Sequence, residues 1–349
     1  MSRPIGYYVH HHGDGHRQRA IAIGQSLGGI TLLGTGLTDR TGNLPFLDLP
    51  DDRLEGGFTG IDHAQRPSSL HYAPLDHEGV RQRTAMMATW IAQARPRLMV
   101  IDVSVEMAML ARLASVPTVY VRLNGRRIDP PHIDAFRSAT ALLAPFHGAL
   151  DDEETPAWVR RKTFYAPGII RPESSDGNGG NEVVLVVLGR GGGISDGERW
   201  AEVARAVPDR QFRIIGLCTA PAAMPDNLEF GGWVDDAEAQ IATAAVVVGA
   251  AGDGVVSAVL ARRRPFICLP EQRPFDEQVS KARRLCAVGG AIVRFDWPVP
   301  SDWPGLIDQA IKQTLNWPAC LMDTGGSEAA ARWLDDLIAA SSADRSSTA

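Results

Sequence analysis

The sequence predicts an α/β protein made of two doubly wound parallel-sheet domains in tandem, and three observations predict it. The chain has 349 residues, about twice the length of an ordinary domain of roughly 150. Along both halves, short apolar runs alternate with longer amphipathic stretches, the pattern of successive βαβ units. The halves are separated by 171–181, RPESSDGNGGN, which carries no apolar side chain and is rich in Gly, Ser and Asn. Domains are therefore expected over 1–170 and 182–340, joined by that linker and followed by a flexible Ser/Ala-rich tail over 341–349.

Each element has its own warrant. Ile5–Val9 reads as the first strand, and His16–Leu27 as a helix turning Ile21, Ile23, Gly24 and Leu27 inward. Ile30–Leu33, Leu98–Ile101, Thr118–Val121 and Ala141–Ala144 are short apolar strands, with Glu78–Ala94 and Glu106–Ala114 as helices between them. In the second half, Val183–Leu188 is too uniformly apolar for a half-exposed strand and suits a parallel sheet covered on both faces. Helix Gly197–Ala206, strand Phe212–Ile215, helix Asp236–Ala244, strand Val246–Val248, helix Gly254–Ala261 and strand Phe266–Leu269 continue the alternation. Asp151–Glu154 reads as the acid-rich start of a further helix.

Composition narrows the function. At 44% apolar and 22% charged residues, the chain can fill sizeable cores. Its formal net charge of −6, from 35 Lys+Arg against 41 Asp+Glu, argues against a nucleic-acid partner, because such modules carry a basic excess. Nearly all the basic residues are Arg, which with the abundant Ala suggests a GC-rich bacterial gene. No run of about 18 apolar residues exists, so no transmembrane helix is expected, and Ile5–Val9 is too short for the core of a signal peptide. Cys218, Cys268, Cys286 and Cys320 are scattered without a CxxC pair, as reduced thiols of a cytoplasmic protein would be.

Ligands of open parallel sheets bind beyond the carboxyl ends of the strands, and four such places stand out. The first is His10–His16, HHHGDGH. Gly13 and Gly15 permit close backbone approach, and the helix that opens there offers free N–H groups to an anion. His16 is placed to face whatever fills the cleft, as a general base, with Asp14 the second candidate. On a continuing strand His11 points opposite to His10 and His12, and no acidic residue stands at ligand spacing, so no metal is expected. The second place is Gly189, Arg190, Gly191, Gly192 and Gly193 after the Val183–Leu188 strand, a loop whose N–H groups, with Arg190, suit a phosphate. The third is Gly249–Gly254, whose Gly252, Asp253 and Gly254 open a helix toward a diphosphate. The fourth is Pro270–Gln278, where Glu271, Gln272, Glu277 and Gln278 suit vicinal sugar hydroxyls. All nine histidines lie at or before His147, so an imidazole base comes only from the first half. His71 and His77, which bracket the Ala73-Pro74 turn, and Arg122 are candidates for the acceptor side of the cleft.

With these pieces placed, the chain resembles the GT-B glycosyltransferases, in particular the group around the lipid II-forming peptidoglycan N-acetylglucosaminyltransferase and the diacylglycerol-sugar transferases. Gly13–His16 is similar to that group's N-terminal glycine loop, and Gly189–Gly193 to its donor-diphosphate loop. Gly232-Trp233-Val234-Asp235-Asp236 is similar to the segment that reads the nucleobase, which brings in Trp233 and Val234, and Gly252–Gln278 to the long donor signature. One departure is Ala258, where the group has a ribose-binding Glu. The resemblance implies two Rossmann-like domains facing each other across a cleft, the first holding the acceptor and the second the donor. It implies an inverting, metal-independent hexosyl transfer from a UDP- or dTDP-linked sugar to an unidentified hydroxyl acceptor, small or lipid-linked, with no cofactor. Nucleotide-sugar hydrolases and epimerases of the same fold are the alternative, and a non-catalytic nucleotide-sugar binder is the third reading.

Overall fold

The structure is a computed structural model that describes residues 3–11, 14–54, 66–170, 182–189, 194–314, 317–318, 321 and 323–347. The linker 171–181 and the predicted site residues Gly13, Arg190, Gly191 and Gly192 lie outside the described residues. The first sheet contains β1 (Ile5–Val9), β2 (Ile30–Gly34), β3 (Phe46–Asp48), β4 (Leu98–Asp102), β5 (Thr118–Val121), β6 (Ala141–Ala144) and β7 (Thr163–Tyr165). All pairs are parallel, in the order β3-β2-β1-β4-β5-β6-β7. The helices between them are α1 (Gly15–Ser26), α2 (Glu78–Ala94), α3 (Val105–Leu113), α4 (Pro130–Ser138) and α5 (Ala157–Lys162). The central strands are apolar throughout because both faces are covered: Tyr7 and Val100 point into one core, Tyr8 and Ile101 into the other.

The second sheet contains β8 (Val183–Val187), β9 (Gln211–Ile215), β10 (Leu228–Gly232), β11 (Val246–Gly249), β12 (Phe266–Cys268) and β13 (Ile292–Val293), parallel in the order β10-β9-β8-β11-β12-β13. Around it lie α6 (Gly197–Ala206), α7 (Ala237–Thr243), α8 (Asp253–Ala261), α9 (Glu277–Ala287) and α10 (Trp303–Thr314). In each sheet the strand order reverses at one point, between β1 and β4 in the first and between β8 and β11 in the second. Those two switch points are where α/β sheets open a crevice for ligands.

Three expectations change. The last helix, α11 (Gly326–Ser347), runs through most of the predicted tail and packs on the first domain, not the second. Its Ala330, Ala331, Leu334 and Ile338 join the core formed by Ile5, Ala20 and Ile23, and Trp333 stacks on Phe164 with ring centroids 4.7 Å apart. An amphipathic pattern marks the face a helix buries but not which sheet receives it. Asp151–Glu154 starts no helix: Asp151 and Asp152 are buried in a turn, and Glu153 pairs with Arg284 of the second domain. His10 and His11 do not diverge, because β1 ends at Val9 and its pleat ends with it; their rings stack 5.0 Å apart. Among the described residues, no helix is long and apolar enough to cross a membrane.

Candidate active site

The first switch point assembles a histidine–carboxylate pair. The chain leaves β1 at Val9 and enters α1 at Gly15, which sets His16 in the first turn of that helix. Asp102 is the last residue of β4, the neighbouring strand, and is fully buried. His16 Nδ1 lies 2.9 Å from Asp102 Oδ1. The residue after Asp102 is held in the left-handed region: Val103 has φ 54°, unusual for a β-branched side chain. Its carbonyl accepts from the Tyr120 hydroxyl at 2.7 Å, and its N–H donates to Val121. This turn brings Ser104 round to cap α3, leaving Asp102 at the strand end facing α1.

Asp102 has three further donors. Tyr7 Oη donates to Oδ2 at 3.2 Å, Arg19 Nε to Oδ2 at 3.1 Å, and Arg19 Nη2 reaches both oxygens at 2.9 Å. Burial alone pushes the Asp102 carboxyl up, but Arg19 and then His16 hold it well below the ordinary carboxylate range. Arg19 Nη2 also lies 2.9 Å from His16 Nδ1. The guanidinium can only donate and favours a bare Nδ1, whereas the carboxylate can only accept and favours Nδ1–H. Arg19 Nη2 already has both carboxylate oxygens to donate to, so the carboxylate decides the tautomer. A bare Nδ1 would set its lone pair against that of Oδ1. With the proton on Nδ1, His16 donates to Asp102, Arg19 keeps its carboxylate contacts, and Nε2 is left with a free lone pair.

Asp14, the other candidate base, is committed. Its carboxylate accepts from Arg17, from Gln18 at 2.9 Å and from Arg40 at 3.1 Å. Burial works against these bonds, but Gln18 and Arg17 still hold its carboxyl below the usual value.

A cleft of about 400 Å³ lies between the domains, within the range of small-molecule sites. The first domain lines it with Asp14, Gly15, Gln18 and Arg19, at the start of α1. The second domain faces them with Gly189, Trp233, Val234, Asp253, Gly254 and Ala258, among others. Trp233 is 39% exposed there, a large ring open on one side. Gly252 caps α8 and Asp253 opens it, so the free N–H groups of that helix point at the cleft. A Cβ added at Gly15, Gly189, Gly252 or Gly254 meets nothing within 4 Å, and none of the four needs a positive φ. The described neighbours of these four glycines leave open space on the side where a Cβ would stand.

Asp253 does not present its carboxylate to a ligand. It pairs with the buried Lys281, and Arg19 Nη1 approaches its other oxygen at 3.6 Å. Burial raises its carboxyl, and Lys281 and then Arg19 bring it below the ordinary value.

The predicted sugar-binding group is apart from the cleft walls as the domains stand. Gln278 is buried, and its side-chain carbonyl accepts from the N–H groups of Ala251 and Glu271, tying two loops together. Glu277 pairs across the domains with Arg127 at 2.9 Å, Glu271 pairs with Arg273 at 2.6 Å, and Gln272 is exposed.

The acceptor-side candidates need correction. Arg122 is buried, with Nη2 2.6 Å from Asp151 and Nε donating to Thr163, so it ties β5 to β7 and is not among the residues lining the cleft. His77 caps α2, its Nδ1 accepting from Val80 N. His71 sits at the domain contact, its ring 4.9 Å from His132 and 5.5 Å from Phe275. Burial, then the neighbouring His132, pushes His71 down to about 4. The same loop seats Phe275 against Gly125, whose φ of +100° and lack of Cβ admit the Phe275 carbonyl.

Among the described residues, two clusters have metal-ligand residue types: His71, Asp129 and His132, and His11, Asp51 and Asp52. The second pairs the histidine run with carboxylates distant in sequence. Asp129 contacts His132 within its own cluster, Asp51 pairs with Arg53, and Asp52 pairs with Arg83 through one oxygen and faces His11 with the other.

Two Rossmann-like domains with their switch points turned toward one cleft make the GT-B glycosyltransferase fold. Solved structures bear this out. The spinosyn forosaminyltransferase SpnP matches with TM-score 0.72 and 12% identity, covering 97% of this chain and 100% of its own. UGT89C1 of Arabidopsis thaliana, complexed with UDP-L-rhamnose, matches with TM-score 0.69 and 13% identity over 97% and 99%. MurG of Acinetobacter baumannii matches with TM-score 0.61 and 14% identity over 95% and 99%. No protein-family model and no curated protein matches the sequence.

Proposed function

We propose that the protein is an inverting glycosyltransferase that moves a sugar from a UDP- or dTDP-linked donor to a hydroxyl acceptor held by the first domain. The observation that carries this reading is the His16–Asp102 pair beside a cleft whose opposite wall holds the start of α8 together with Gly189 and Gly254. That wall suits the diphosphate, and Trp233 suits the base of the nucleotide. The similar solved structures are of glycosyltransferases, one of them complexed with UDP-L-rhamnose, which supports a nucleotide-sugar donor.

In the reaction, His16 Nε2 takes the proton of the acceptor hydroxyl as its oxygen bonds to the sugar C1. The bond from C1 to the diphosphate oxygen breaks on the opposite face, and its electron pair leaves with the diphosphate. The imidazolium is stabilised by Asp102, while the sugar passes through an oxocarbenium-like state. Charge building on the diphosphate meets the N–H groups at the start of α8, donors fixed before the reaction begins. The protein supplies these groups itself, so the reaction is proposed to run without a metal.

The test is a panel of UDP- and dTDP-sugars followed by thermal shift and by release of nucleoside diphosphate, with and without hydroxyl acceptors. Acceptor-dependent release with a glycosylated product is the expected result. Release of free sugar without acceptor would make the protein a hydrolase, an isomerised donor would make it an epimerase, and binding without turnover would overturn catalysis.

A further inference from the structure

Three buried charged side chains and the partly buried Asp253 link the base to the second domain. Asp102 on β4 is bridged by Arg19 on α1, Arg19 reaches Asp253 at the start of α8, and Asp253 is held by Lys281 on α9. Asp102 and Lys281 are fully buried, and Arg19 is 6% exposed. The first two side chains belong to the acceptor-side domain and the last two to the donor-side domain, so the Arg19–Asp253 contact exists only while the domains are apposed.

We infer that Arg19 is a positioning residue through which the second domain sets the base strength of His16. One guanidinium serves two carboxylates. Its Nε and Nη2 lie on Asp102, and its Nη1 is 3.6 Å from Asp253. With Asp253 in place, part of the cation is neutralised from the donor side, and Asp102 retains charge to stabilise an imidazolium on His16. Without Asp253, Arg19 neutralises Asp102 alone, while its Nη2, 2.9 Å from His16 Nδ1, repels that imidazolium. The base is thus at full strength only with the glycine turn that carries Asp253 docked opposite it. The other groups around His16 are His10, with ring centroids 5.3 Å apart, Tyr7 on the far side of Asp102, and Asp14 with its own arginine partners. Among the described residues all of these belong to the first domain, whereas Asp253 also acts on His16 directly through space, the contribution that the Arg19 variants separate.

The inference rests on the proposed role of His16, but its test needs no substrate. The full-length protein is labelled at histidine, and the His16 ring is assigned by its loss in His16→Gln and titrated by NMR. Asp253→Asn is expected to lower the His16 midpoint by at least about half a pH unit, and Arg19→Gln to raise it. In the Arg19→Gln background, Asp253→Asn is expected to have less than half its effect. Should Asp253→Asn leave Lys281 too poorly accommodated to fold, Asp253→Asn/Lys281→Met takes its place. Arg19→Lys, which keeps a cation but cannot span both carboxylates, is the second background. An unchanged midpoint in the Asp253 variant, or an equal shift with and without Arg19, overturns the inference. The expected shifts in a protein that transfers no sugar would overturn the transferase reading and leave this one standing.

Discussion

Replacing Asp102 by Asn is the sharpest perturbation of the site, because the amide keeps the shape and removes only the charge and one acceptor. The structure dictates how the amide turns. The Oδ2 position receives three donors, from Tyr7 and from Nε and Nη2 of Arg19, so the carbonyl must take it. The NH2 group then falls at the Oδ1 position, 2.9 Å from His16 Nδ1. A donor there requires Nδ1 to accept, which moves the ring proton to Nε2 and removes the lone pair that would take the acceptor's proton. In the analogous Ser-His-Asp arrangement this tautomer error costs about 10⁴-fold, or about 5.5 kcal/mol of barrier. Stability suffers less. Breaking a buried pair costs about 3–5 kcal/mol when the remaining charge has no partner, but Arg19 retains Asp253. The assay is initial-rate release of nucleoside diphosphate in the presence of acceptor, alongside the melting temperature. Turnover within about tenfold of wild type in a folded Asp102→Asn protein would refute the assignment of Asp102 as the group that holds the base.

Other outcomes follow from the same geometry. His16→Ala should lose about 10²–10⁴-fold in turnover with little change in melting temperature, whereas Asp14→Asn should retain most activity, and the reverse order would exchange their roles. The folded pKa of His71, about 4, lies below its ordinary 6.5, so as pH falls the unfolded chain gains that proton first. Stability is therefore complete above about 6.5 and declines toward pH 4; melting curves of His71→Phe should show a flatter decline, and an identical one would remove His71 as the cause. Arg122→Met should lower the melting temperature while leaving nucleotide affinity by calorimetry unchanged, since it strands Asp151 without touching the cleft. Exhaustive EDTA treatment with a metal-free donor should leave the rate intact, and full loss restored by magnesium or manganese would show that the protein-supplied anion site is insufficient.

What was legible in the sequence was what local chemistry writes into adjacent residues. Central strands such as Thr118–Val121 and Val183–Val187, buried on both faces, left unbroken apolar runs, and the helices between them had clear periodicity. The edge strands Phe46–Asp48, Leu228–Gly232 and Ile292–Val293 are short or half-exposed and left no such run. His16 was legible because a glycine turn at a strand end is a local feature. Asp102 was not, although a carboxylate closing the run Leu98–Asp102 was a usable signal: an acidic residue at the carboxyl end of a buried strand is costly unless it is paired. The pairing itself joins residues 86 apart in the chain and belongs to strand order, which no short motif encodes. The same limit explains why Glu277 and Gln278 carried the composition of a sugar site but are engaged in holding loops and domains together.

The arrangement separates the two charges that the proposed reaction creates. The proton goes to the first domain, where Asp102 waits at the end of β4. The departing diphosphate charge goes to the second, where the only charged side chain of the turn, Asp253, is neutralised by Lys281 before any ligand arrives. Without that pairing the turn would meet an anion with an anion; with it, the helix N-terminus presents N–H groups alone. Lys281 meets this carboxylate from a fully buried position, where a lysine is tolerated only with a partner. Arg19 reaches the same carboxylate from the other side, so Asp253 satisfies two cations, one in each domain. A bivalent role of that kind explains an otherwise awkward choice, an acidic residue at the mouth of the proposed anion site.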